Sequence, residues 1–431
     1  MKRKKNAVLI LAAGQGTRMK SELPKVLHEV GGVPVLAHVI HCVKEAGIRN
    51  ISVVVGYQRE RFRSLLIGSQ AIVQEKQLGT GHAVMQAKAH FSRFEGEILV
   101  MPGDVPCMRP ETIRRLMDEH RKSGAKATVL TAEVEHPAGY GHIIRDNGKV
   151  VGIREELDAT ENEKQIPEVN SGIYMFHART LFEVLNSIKE NAKKKEYYLT
   201  DVIEELVRAG HPVSSFRCED EREMQGINTR AHLAAANKIL NEREINRHQE
   251  AGVTVVSPEQ TFIATDVEIG NDTVIHPFTW IEPDVKIGKK CIVGPFAKIR
   301  SKSQIGNGCI VGSFVEVVRS KVGDGTYVKH LSYLGDAELG KKVNVGAGTV
   351  VANYDGKNKN KTIVRDGAFL GCNTVLIAPT QVGRAAKTGA GAVVRAHHFV
   401  PDGETVVGVP ANVIKQSNKK KKIQKNKFRR S

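Results

Sequence analysis

The chain has 431 residues, with 64 Lys and Arg against 47 Asp and Glu and a formal net charge of +17. Thirteen of those seventeen charges fall in Lys2 to Lys5 and between Lys415 and Arg430, two segments without an acid, so the body is nearly neutral and no broad nucleic-acid surface is expected. A hydrophobic fraction of 41% excludes wholesale disorder, and 5% aromatic residues argue against a base-stacking platform.

This length predicts two domains. No run approaches the roughly 18 apolar residues of a membrane span, and no signal-type segment completes before Gly14, so a cytoplasmic protein is expected. Cys42, Cys107, Cys218, Cys291, Cys309 and Cys372 lack any paired spacing and are expected to be buried thiols.

In chain order, Ala7 to Ala12, Ile51 to Val55, Ile98 to Met101 and Ala127 to Leu130 read as buried strands. Val35 to Ala46 and Pro110 to Lys122 carry helical apolar spacing. The alternation predicts an α/β domain over residues 1–229 with a parallel, doubly wound sheet, Rossmann-like, whose ligands sit beyond the strand ends at Gly14 to Arg18 and Gly103 to Asp104. Residues 230–250 lack Gly and Pro and predict a connecting helix.

From Ile263 the period becomes six. Ile263, Ile269, Ile275, Ile281, Ile287, Val293, Ile299, Ile305, Val311 and Val317 are ten consecutive hits; after one-residue slips the series resumes at Val322, again at Leu339, and runs from Val364 to Val394. Hexads of this kind predict a parallel β-helix over residues 251–411, about seven coils with one aliphatic residue per face pointing inward. Glycines following the aliphatic positions, such as Gly270, Gly288 and Gly306, are expected to serve turn geometry. The polar stretch Asn353 to Lys361 interrupts the ladder and predicts an outward loop, and residues 412–431 predict a basic disordered tail.

Chemistry concentrates in two places. Leu11-Ala-Ala-Gly-Gln-Gly-Thr-Arg18 follows the first strand, with glycines that open the backbone to phosphate oxygens and Arg18 and Lys25 as cations. Asp104, a carboxylate at the end of an apolar strand, is a natural ligand for a hard cation. In the second half, His330 within His330-Leu-Ser-Tyr-Leu-Gly-Asp-Ala-Glu338 is a base candidate.

The string LAAGQGTRMKSELPKVL, with Gln74 to His82, Gly103 to Pro106, Gly139 to Gly141, Val169 to Gly172 and Gly226 to Thr229, resembles sugar-phosphate nucleotidylyltransferases. Joined to hexapeptide repeats, the chain is similar to the family of bifunctional N-acetylglucosamine-1-phosphate uridylyltransferases and glucosamine-1-phosphate N-acetyltransferases, over nearly all of Ala7 to Pro410.

The resemblance implies a left-handed β-helix and a homotrimer. Its implied substrates are UTP, N-acetylglucosamine 1-phosphate, glucosamine 1-phosphate and the cosubstrate acetyl-CoA, with Mg2+ as cofactor. Leu11, Ala12, Ala13 and Gly14 would form the nucleotide loop, with Arg18 and Lys25 neutralising charge. Gln74, Gly79 and Thr80 would recognise uracil, Gly139, Glu155 and Asn170 the sugar, and Asp104 and Asn228 would hold Mg2+.

In the β-helix, His330 would be the base. Arg300, Tyr333, Asn344 and Lys359 would hold the amino-sugar phosphate, and Ala347, Asn353, Tyr354, Cys372 and Ala390 would line the acetyl-CoA site. Val318 stands where the family has a second lysine and Gly408 where it has an arginine. Strand alternation predicts that Arg319 faces away from Val318. A second reading keeps uridylyl transfer alone, with the β-helix as a trimerising scaffold or an altered acyltransferase.

Overall fold

The computed structural model describes residues 5–56 and 58–414. Residues 1–4 and 415–431, which carry nearly all of the terminal basic charge, lie outside the described residues, as does Tyr57. The chain divides into two compact units, Met1–Leu240 and Asn241–Ser431. The expected connecting helix spans Arg230–Glu250, and the division falls inside it.

The first unit is built on a nine-stranded sheet. Seven of its strands run in the order Val213–Arg217, Ala127–Glu133, Glu168–His177, Gly96–Pro102, Lys5–Leu11, Asn50–Val55 and Gln70–Val73. All four expected strands are among them. Central strands covered on both faces must be apolar on both, and Ala7 to Ile10 and Ile98 to Met101 are fully buried. Val8 and Ile10 join a cluster with helices Val35–Glu45 and Pro110–Ser123, while Ala7 and Leu9 join a second cluster with helices Ala178–Val184 and Asp201–Arg208.

The sheet is not wholly parallel. Glu168–His177 runs antiparallel to both of its neighbours, with a register break between Asn170 and Tyr174. Gly172, at φ 75, supplies the left-handed conformation the break needs, and as a result Asn170 can donate to the Tyr174 hydroxyl at 2.8 Å.

The second unit is a β-helix of two- to four-residue strands stacked in three sheets, eight strands in each of two and ten in the third. All of the hexad aliphatic residues point into one core; only Ile269 is less than fully buried. The solenoid begins earlier than the strict hexads indicate. Thr254–Val255 already pairs with Val274–Ile275, and the turn at Pro258–Gln260 puts the next inward residue out of period. It also ends later, because Asn412–Val413, placed by sequence in the tail, pairs antiparallel with Thr405–Val407. Cys372 is exposed; the other five cysteines are buried as expected.

Gly294, at φ 92, has the left-handed turn conformation expected of the glycines that follow the aliphatic positions, but the others serve a different purpose. Among Gly270, Gly288, Gly306, Gly312, Gly323, Gly335 and Gly346 none has positive φ; the left-handed corners are taken by non-glycines such as Asp284 at φ 58 and Lys302 at φ 65. The glycines are required because successive coils stack backbone on backbone. A Cβ at Gly288 would lie 2.7 Å from the carbonyl carbon of Gly306 in the next coil.

Gly288→Ala should therefore destabilise the second unit by about 1 to 3 kcal/mol through overpacking. Asp284→Gly should be near neutral, since relief of the left-handed strain offsets the added backbone entropy. Thermal unfolding of the two variants checks this; equal losses would remove the distinction between close approach and φ.

Candidate active sites

Beyond the carboxyl ends of the central strands of the first unit lies a cavity of about 420 Å³. Leu11, Ala12, Ala13 and Gly14 line one side, directly after strand Lys5–Leu11. A Cβ at Gly14 would meet nothing within 4 Å, so the missing side chain leaves room for an occupant against the backbone. Gln74, Gly79 and Thr80 line a second side, and Glu155 and Asn170 a third.

Each of these groups is held by its neighbours. Gln74, 3% exposed, donates from Nε2 to the Gly79 carbonyl at 3.2 Å and lies 3.0 Å from His82 Nδ1, which fixes which way its amide faces. Gly79 sits at φ 96, and a Cβ there would reach 2.5 Å from the Tyr197 carbonyl. The Thr200 hydroxyl donates to Glu155 at 3.0 Å, yet burial still raises the Glu155 pKa above the ordinary glutamate value. Burial likewise raises the Tyr198 phenol to about 12.

At the floor of the cavity the Lys25 ammonium donates both to Asp104 Oδ2 and, at 2.9 Å, to Asn228 Oδ1. Asn228 is far away in sequence and is not itself a wall residue; the backbone bond from Ile227 to the Asp104 carbonyl, 2.9 Å, brings it in. Two oxygens aimed at one positive centre fit a hard cation.

Two residues implied by the resemblance lie elsewhere. Arg18 is exposed on the short turn Thr17–Met19 and does not line the cavity, and Gly139 sits in an exposed turn before strand His142–Asp146. Sequence reasoning missed Tyr174, Glu196, Tyr198 and Thr200, which complete the wall. The only local signal was the string Tyr197-Tyr-Leu-Thr-Asp201, an aromatic pair running into a helix start.

In the second unit, His330 ends strand Tyr327–His330 and is exposed, with its carbonyl fixed by the Ser332 hydroxyl at 2.8 Å. The register Val328↔Val345, Val345↔Leu370 and Leu370↔Thr388, carried two residues further, puts His330, Ala347, Cys372 and Ala390 in one column of successive coils. Backbone bonds of 2.7 Å from Asn373 to the Ala347 carbonyl and 2.8 Å from Gly391 to the Cys372 carbonyl tie the column together.

Beside it, the stretch from Asn353 to Asn360 folds back as a small hairpin, with Tyr354 bridged to Lys359. A Cβ at Gly335 would meet both Asn353 Nδ2 and the Tyr333 hydroxyl at 2.7 Å, so this glycine is what lets the two polar groups converge. Asp336 holds Asn353 by accepting from its amide, while Arg319 donates twice to the same carboxylate at 2.7 Å and holds its pKa below the ordinary aspartate value.

Arg319 lies just past the strand from which its direction was inferred. Strand Glu316–Val318 ends one residue before it, and Arg319 turns at φ 48, so its side chain lines a 260 Å³ cavity with Lys359 and Asp336. Val318 is 2% exposed. Arg300 lies apart from these, donating to Glu316 at 3.2 Å, and Asn344 is half-buried between Tyr327 and Phe369 on adjacent coils. Gly408 has φ 89, a conformation in which an arginine would be strained.

A glycine-containing loop beyond the strand ends of a doubly wound sheet, in one chain with a hexad solenoid, defines a nucleotidyltransferase joined to a hexapeptide-repeat transferase. The family described as a MobA-like NTP transferase domain matches residues 8–244, and the bacterial transferase hexapeptide (six repeats) matches residues 284–319. Bifunctional protein GlmU of Carboxydothermus hydrogenoformans is 43% identical over 418 residues, covering 89% of this chain and 93% of its own. Its counterparts in Pelotomaculum thermopropionicum and Acetivibrio thermocellus are 44% and 42% identical, over 87% and 95% of this chain and 90% and 96% of their own. The chain belongs to the GlmU family of bifunctional transferases.

Gly16 gives a direct test of the loop that follows strand Lys5–Leu11. It sits at φ 67, and a Cβ there would lie 2.5 Å from Lys25 Cβ. Gly16→Ala should lower uridylyl transfer by about tenfold or more by displacing the ammonium, a barrier change of roughly 1.4 kcal/mol. Acetyl transfer serves as the internal control, and unchanged pyrophosphate release would refute the placement.

Proposed function

We propose that the two units catalyse consecutive steps toward UDP-N-acetylglucosamine, a precursor of the cell wall, in the cytoplasm. The second unit transfers the acetyl group of acetyl-CoA to the amine of glucosamine 1-phosphate; the first joins the product to the uridylyl group of UTP and releases pyrophosphate. The observation that carries this reading is the convergence of the Leu11–Gly14 loop, Gln74, Glu155, Asn170 and the Lys25, Asp104 and Asn228 cluster on a single cavity.

In uridylyl transfer the sugar phosphate oxygen attacks the α-phosphorus in line and pyrophosphate leaves, with no covalent protein intermediate. The work is positioning and charge neutralisation. The Leu11–Gly14 backbone receives the phosphates. Gln74, locked by Gly79 and His82, presents a fixed hydrogen-bonding edge to the base, and Glu155 and Asn170 orient the sugar. Asp104 and Asn228 would hold magnesium, which would supply neutralisation of the charge that builds on the phosphates.

In acetyl transfer His330 takes a proton from the sugar ammonium. The free amine attacks the thioester carbonyl, and the thiolate of CoA leaves. Placing His330 in the same column as Ala347, Cys372 and Ala390 puts the base beside the corner where the thioester would lie, with Asn353 and Tyr354 flanking it. Arg300, Tyr333, Asn344 and Lys359 supply the cation and donors for the sugar phosphate. An assembled column of this kind does not favour a scaffold without acyl transfer. Ile292, Tyr327 and Phe369, exposed on one sheet, give the second unit the apolar surface that a homotrimer would cover.

Asp104→Ala should abolish pyrophosphate release and leave CoA release intact. His330→Ala should do the reverse, losing on the order of 10²- to 10⁴-fold in acetyl transfer. Parallel assays of the purified full chain with each substrate pair separate the two; loss of both activities together in either variant would contradict independent sites.

A further inference from the structure

The Lys25 ammonium occupies the point at which Asp104 and Asn228 converge, bonding to both oxygens with its side chain only 15% exposed. A divalent ion held by the same two oxygens needs that position. We propose that Lys25 is a built-in counter-cation that a metal ion must displace, so that metal and nucleotide enter the site together. The proposal rests on the reading of Asp104 and Asn228 as metal ligands.

Three observations support an exchange over simple competition. First, Lys25 lines the same cavity as the Leu11–Gly14 loop, so an ammonium expelled from Asp104 has phosphate oxygens to move toward. Second, among the described residues no group of three His, Cys, Asp or Glu side chains could hold a metal, and a lone carboxylate with an amide leaves most of an octahedral shell to waters and phosphates. A metal alone is therefore weakly rewarded for expelling Lys25. Third, Gly16 carries no side chain at the point where a Cβ would lie 2.5 Å from Lys25 Cβ, so the root of the lysine side chain is left unobstructed on that side.

The consequence is thermodynamic coupling. Nucleotide phosphates stabilise the swung lysine and the metal stabilises the vacated oxygens, so each ligand should tighten the other by the 5- to 150-fold typical of linked sites. Without the lysine the oxygens stand open and the coupling should shrink.

The experiment is a titration of the full chain with Mn2+, followed by electron paramagnetic resonance of the free ion, with and without UTP. Wild type should bind Mn2+ weakly alone and at least about fivefold more tightly with UTP. Lys25→Met should bind Mn2+ about tenfold more tightly than wild type without nucleotide and gain little from UTP; Lys25→Gln, which keeps a donor but not the charge, serves as a second variant. Melting curves establish that each variant is folded. Equal or weaker Mn2+ binding in both Lys25 variants would overturn the exchange. Asp104→Asn in each background tests the underlying reading separately: binding that survives it would place the metal elsewhere and fail that reading instead.

Discussion

Everything in the second unit depends on how closely one coil lies on the next. At Gly288, Gly323 and Gly346 a single methyl group would come within 2.8 Å of the neighbouring backbone, so the stack has no room to slip sideways. Inward aliphatic residues supply the burial, but they would tolerate a small shift; the backbone contact does not. Fixed register is what turns residues 17 to 25 apart in sequence into vertical neighbours. His330, Ala347, Cys372 and Ala390 form a column because each coil must land on the one below.

The two five-residue repeats show the same constraint being used. Each slip in the hexad series falls at a corner, at Arg319 and then at Asp336, and the pairing of the surrounding strands continues undisturbed. The shortened corners stack, and Arg319 reaches Asp336 with two bonds. Asp336 in turn fixes Asn353, the first residue of the hairpin. What reads in sequence as an irregularity is the point at which the solenoid gives up its repeat to build a polar cluster.

Legibility followed the range of the interaction. Strands of the first unit were readable because burial on both faces demands continuous apolar runs, and the β-helix because an inward aliphatic residue recurs every sixth position. The antiparallel course of Glu168–His177 was not readable, since an apolar strand carries no mark of its direction. Tyr198 and Thr200 were missed because they reach the cavity through long-range bonds, Tyr197 donating to Leu78 and accepting from Gly81, each at 2.8 Å. The reach of Arg319 to Asp336 was not readable, because alternation holds only inside a strand and one residue of left-handed backbone ends it.

The two sites also differ in what holds their charges. In the β-helix, Arg319 is committed to Asp336 by a bidentate pair, a geometry that favours a fixed scaffold over a moving group. In the cavity of the first unit the cation is a lysine, a point charge on a flexible stem, shared between a carboxylate and a neutral amide. Exchanging that lysine for an arginine would match the carboxylate better and release it less readily. The choice of cation thus separates a residue that positions other residues from one suited to the exchange proposed above.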